Sequence, residues 1–159
     1  MIAQVKLADI IDALESISMD NRAFVNLKTG EVIHVLNEYL DKVEEGEPYG
    51  DMAEWEQDIM TLALQIVNQE QNFIEIDTQD VDEYNMMERF CYTITDTTKQ
   101  AGLLNAITGK GAFRRFKDLV YHFGLADDWY DYRDNGYADC AKDFCHRHNL
   151  KYIEDVHVR

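Results

Sequence analysis

The chain has 159 residues, 46% hydrophobic and 11% aromatic, with one proline and eight glycines. That is enough apolar material for a packed core without disulfides or metal, and too little Pro and Gly for long disordered linkers. Acidic residues outnumber basic ones 31 to 15, a formal net charge of −16, which excludes a general electrostatic affinity for nucleic acid or anionic membrane. The same charge suits a basic protein partner. Cys91, Cys140 and Cys145 are too few for a disulfide framework, and the odd count fits a reducing compartment. The opening MIAQVKLADI lacks the layout of a signal peptide, and no apolar run reaches the roughly 20 residues of a membrane span. These features together predict one cytoplasmic domain over residues 1–159.

In chain order, Leu7, Ile10, Ile11, Leu14 and Ile17 keep the spacing of an amphipathic helix, about Lys6 to Ser18. FVNLKTGEVIHV then reads as two strands around a Lys28-Thr29-Gly30 turn, so residues 1–36 form a helix–hairpin unit. From Asn37 to Asp58 there are nine acidic residues and one lysine, broken by Gly46, Pro48 and Gly50. Residues 37–51 therefore read as a solvated acidic connection, and 52–159 as a helical body.

Asp51 and Glu54 have capping-box spacing ahead of a helix at about Met52 to Gln69. Phe73–Ile76 reads as a short strand. Asp80 and Glu83 form a second capping box, opening a helix in which Tyr84, Met87, Cys91 and Ile94 share a face. Thr97 or Thr98 caps a helix running through Leu103, Leu104 and Ile107 to Gly109. The next helix starts near Gly111, with Phe113, Phe116, Val120 and Phe123 facing inward and Gly124 closing it. A last helix runs from about Asp128 to His148, with a kink or break at Asn135-Gly136, and Tyr152-Ile153 forms a terminal strand. The fold class is α+β and predominantly helical: an N-terminal helix and β-hairpin, then a bundle of about five helices with a short extra strand.

GKGAFRRFKD (Gly109 to Asp118), followed by Leu125-Ala-Asp-Asp-Trp129-Tyr130 and Arg133, resembles the uncharacterised protein family 0158 (UPF). EYNMMERF (Glu83 to Phe90), the N-terminal helix and the TGEV hairpin are similar to it as well. The resemblance implies a shared α+β fold and brings no particular chemistry with it.

The basic run is the one positive island on a negative chain. Lys110, Gly111, Arg114, Arg115 and Lys117 surround a glycine-flanked helix start, where free N–H groups and the positive dipole end favour a phosphate, a carboxylate or an acidic partner. The spacing is not that of a Walker A loop. The plainer reading is a solvated face with Arg114 and Asp118 paired at i, i+4.

Cys140, Cys145, His146 and His148 look like a metal tract, but at helical spacing they do not converge, so no metal site is expected. His34, His122, His146, His148 and His157 have no nucleophile at a recognised motif spacing. GxSxG, HExxH and GxGxxG are absent, so neither catalytic residues nor a cofactor are predicted. Trp129, Tyr130, Tyr132 and Tyr137, beside Tyr121, could suggest base stacking, but at helical spacing Trp129 and Tyr137 read as core, and the net charge argues against single-strand binding.

On the last helix Arg133 falls within the apolar arc, which predicts a buried structural cation needing a carboxylate. Glu88 is the expected partner, because Glu83, as the third residue of a capping box, would already be engaged. Two functional readings follow. One is a regulatory or adaptor module that binds a protein partner through charged surfaces. The other is a small-ligand or anion-binding domain, or an enzyme, with its site between the Gly109–Arg115 helix start and the Trp129 helix.

Overall fold

The computed structural model describes residues 3–79 and 81–156. The chain divides into two compact units, Met1–Thr78 with Ala141–Val156, and Gln79–Cys140.

In the first unit β1 (Val5–Lys6) leads into α1 (Leu7–Ser16), then the hairpin of β2 (Asn21–Asn26) and β3 (Val32–Leu36). Then come α2 (Asn37–Glu44), α3 (Glu54–Asn68), a 3₁₀ turn (Glu70–Asn72) and β4 (Phe73–Ile76). The antiparallel sheet has the order β3-β2-β4, with Phe24 opposite Ile33 and Ala23 opposite Ile76. Side chains alternate across a strand. Phe24, Ile33 and Val35 therefore pack on one face against Tyr39 and Leu40 of α2 and Met60, Ala63 and Ile66 of α3. Ala23, Val25 and Ile76 are buried on the opposite face. The short strand β5 (Tyr152–Ile153) pairs parallel with β1.

The predominantly helical α+β class and the N-terminal helix–hairpin unit are as expected from the sequence. The acidic connection is not wholly irregular. Its first half is α2, held because Tyr39 and Leu40 bury against the sheet while the carboxylates stay in water. Likewise α3 starts at Glu54 behind Ala53, with no side-chain cap, so the Asp51–Glu54 box does not form.

The second unit is helical: α4 (Glu83–Thr93), α5 (Thr97–Ala106), α6 (Ala112–His122) and the first part of α7 (Ala126–Arg147). The N-cap of α4 is Asp82, whose carboxylate accepts from Asn85 N at 2.9 Å. The expected cap Asp80 lies outside the described residues. Asp96 rather than Thr97 or Thr98 caps α5, accepting from Thr98 N and Lys99 N. Helix α7 runs unbroken through Asn135-Gly136. A Cβ at Gly136 would lie 2.9 Å from Met86 Sδ. The missing side chain is thus filled by a neighbouring helix, and that packing offsets the propensity cost of about 1 kcal/mol.

At the hairpin turn Gly30 has φ +76°, and an added Cβ would stand 2.2 Å from the Gln4 carbonyl oxygen. The Gly30→Ala variant combines left-handed strain with a clash against backbone, so it should lose roughly 2–4 kcal/mol of stability. Denaturant unfolding measures this, and an unchanged midpoint would contradict the close approach of Gly30 to Gln4.

Candidate functional site

Phe90 of α4, Phe116 of α6 and Trp129 of α7 interlock edge to face at the centre of the helical unit. Their centroid distances are 6.1 Å for Phe90–Phe116, 5.4 Å for Phe90–Trp129 and 4.8 Å for Phe116–Trp129. Above Phe116 and Trp129 the three helices leave a groove of about 390 Å³. Met87 adds to its buried floor, Glu83 and Arg133 are half-buried in its wall, and Phe113, Lys117 and Tyr130 are exposed at its rim.

Phe113 was expected inside. The buried stripe of α6 is instead Ala112, Phe116 and Val120, at i, i+4 and i+8, which leaves Phe113 at the edge and 48% exposed. On the same outer face stands Tyr121, hydrogen-bonded through its hydroxyl to that of Tyr130 at 3.1 Å. The hydrogen bond to Tyr130, more than any other cause, raises the Tyr121 phenol above its ordinary pKa.

Arg133 pairs with Glu83, not with Glu88. Its Nε donates to Glu83 Oε1 at 2.9 Å, its Nη2 forms an ion pair with that oxygen at 2.7 Å, and the Tyr137 hydroxyl donates to the same oxygen at 2.7 Å. The reason is the helix start: with Asp82 as cap, Glu83 is the first helical residue and its carboxylate is not engaged in a capping box. Glu88 is exposed on the outer side of α4. Nor is the guanidinium fully buried, since the paired side chains are 23% and 26% exposed. Arg133 also lies 4.5 Å over the Tyr137 ring.

The basic run divides by geometry. Arg115 turns back over the loop between α5 and α6, donating to Ala106 O at 3.0 Å, to Thr108 O at 2.5 Å and to Lys110 O. It thereby satisfies carbonyls that the end of α5 leaves open. Gly111, the N-cap of α6, lies under this guanidinium. Lys110, Arg114 and Lys117 are exposed and make no ion pair with any described residue, so the expected Arg114–Asp118 pair is not closed.

A smaller cavity of about 210 Å³ in the first unit is flanked by Arg22 and Glu75, which pair at 2.5 Å. Among the described residues no three His, Cys, Asp or Glu side chains are placed to hold a metal ion. His148 packs on Phe144 and His146 beside Tyr152, while Cys145 is buried. His157 lies outside the described residues. No described helix is long and apolar enough to cross a membrane.

Two predictions follow from these contacts. Arg133→Met, Glu83→Gln and the double variant should give non-additive losses of stability, with a coupling of about 1–2 kcal/mol after allowance for solvent exposure. Additive thermal-denaturation losses would mean that the pair does not act as a unit. Burial raises the thiols of Cys91 and Cys145 to about 11, so at pH 8 roughly one in a thousand is thiolate. Both should resist iodoacetamide in the native protein and react on unfolding, as peptide mapping would show.

No curated protein and no solved structure matches the chain. Residues 31–155, well over half of its length, match the model of one family. The chain belongs to the Uncharacterised protein family (UPF0158).

Proposed function

We propose that this chain is a cytoplasmic regulatory or adaptor module that docks an acidic segment of a protein partner on the outer face of α6. One apolar side chain of that segment is seated in the groove. The observation that carries this reading is the state of Lys110, Arg114 and Lys117: in a chain with 31 carboxylates, none of the three has an acidic partner among the described residues. Beside them lie Phe113, Tyr121 and Tyr130, which offer aromatic area at low cost in side-chain entropy. The exposed aromatics and cations extend along α6 beyond the groove itself, which suits a peptide better than a small molecule. The groove's volume and its Lys117 and Arg133 support the second reading, a small anionic ligand.

A nitrogen-15 NMR titration separates the two. A short acidic peptide with a central tryptophan should shift Phe113, Lys117, Tyr130 and the Trp129 indole. Lys117→Glu should weaken that binding by about tenfold, and affinity should fall as salt is raised. Binding of phenylacetate at the same residues, with no response to the peptide, would replace the docking reading by the small-ligand one. Equal binding of a basic peptide would contradict it outright.

A further inference from the structure

We infer that one occupant of the α6 face is the Trp55 segment of a second copy of this chain; this rests on the docking reading above. Trp55, in the first turn of α3, is 61% exposed. An indole left in water forgoes a large hydrophobic gain, and large exposed aromatics are characteristic of interfaces. Its near neighbours in the chain, Asp51, Glu54 and Asp58, are exposed and without an ion pair to any described residue.

This is the complement of the groove feature by feature. An aromatic anchor in an acidic stretch with no described ion pairs answers a groove lined by Phe113 and Tyr130 with the exposed Lys117 at its rim. The groove's volume of about 390 Å³ accommodates an indole. Phe113 and Tyr130 supply ring faces and edges for it, and Lys117 supplies a cation for its π-face. An indole N–H also needs an acceptor once desolvated. Glu83 directs Oε1 to Arg133 and Tyr137, and its Oε2 accepts no hydrogen bond from a described residue. Asp51, Glu54 and Asp58 then face Lys117 at the groove's rim, with Arg114 and Lys110 further along the same segment.

The two surfaces differ, so the contact is heterologous: each copy offers one anchor and one groove, and copies add head to tail. Two chains of net charge −16 repel each other at long range. The association is therefore weak and belongs to physiological salt, where the Debye length of about 8 Å screens the net repulsion more than the contact pairs.

Sedimentation equilibrium at about 150 mM salt tests this with two exposed substitutions, Trp55→Ala for the anchor and Lys117→Glu for the groove. The wild type should show an average mass that rises with concentration. Each variant alone should stay monomeric, with unchanged circular dichroism and melting temperature. Mixed together, the two variants should form a one-to-one dimer and nothing larger, because one supplies an intact groove and the other an intact anchor. A wild type monomeric at ~0.5 mM, a Trp55→Ala variant that associates like wild type, or a mixture that stays monomeric would each overturn the inference. If the wild type stays monomeric while the acidic tryptophan peptide still shifts Lys117 and Trp129, this inference falls and the docking reading stands.

Discussion

The helical unit is organised by three rings that each belong to a different helix. Phe90, Phe116 and Trp129 meet at centroid distances of 4.8 to 6.1 Å, with interplanar angles from 64° to 84°. Edge-to-face geometry sets the hydrogen-bearing rim of one ring against the negative face of another, which adds about 0.5–1.5 kcal/mol per pair to the gain from burial. It also fixes the spacing of α4, α6 and α7 more tightly than branched aliphatic side chains would. Gly136 serves the same constraint, because it lets Met86 reach the backbone of α7. The groove follows from this arrangement. Its floor is the outer side of Phe116 and Trp129, and its walls are whatever α4, α6 and α7 carry one turn outward.

The electrostatics act on two length scales. At distances beyond about 8 Å in physiological salt the chain presents a screened negative field to any visitor. Close to α6 the field is uneven, since Lys110, Arg114 and Lys117 make no ion pair with a described residue. An acidic segment therefore gains nothing from long-range steering and has to be held by contact. This is why an apolar anchor matters alongside the charges. Surface ion pairs contribute at most about 1 kcal/mol each, while burying one aromatic side chain contributes about 1.5–3 kcal/mol.

Much of the fold was legible because its helices carry apolar stripes at helical spacing, as do Leu7, Ile10 and Leu14 on α1 and Phe116 and Val120 on α6. The hairpin was legible from Gly30 between two β-rich runs. Charge density hid α2, where only Tyr39 and Leu40 enter the core. Candidate caps misled in a more consequential way. Asp80 and Asp82 are equally good cap residues two positions apart, and local chemistry does not choose between them. The cap at Asp82 makes Glu83 the first residue of α4 instead of the third. That shift turns a residue assigned to capping into the partner of Arg133 and Tyr137. Part of the groove's lining was legible, since Lys117, Trp129, Tyr130 and Arg133 all fall in the recognisable motif, whereas Lys110, Gly111, Arg114 and Arg115 do not line it. Its polarity was not, because Phe113 sits only one residue's rotation from the buried stripe.

The basic run shows why composition alone assigns roles poorly. Arg114 and Arg115 are adjacent and identical in type, yet Arg114 is exposed with no ion pair to a described residue, while Arg115 is bound to the last carbonyl of α5 and two carbonyls of the loop after it. A planar guanidinium suits the second role, since its donors diverge enough to reach Ala106, Thr108 and Lys110 together. Replacing Arg115 would strip those carbonyls of their donors and loosen the entrance to α6, so a loss of binding in such a variant would report on the loop. Lys117 carries no such duty. It is exposed, lies at the groove, and has no described partner to disturb. The informative cation on this face is therefore Lys117, six residues inside α6, and not the arginine that the helix-start geometry first suggests.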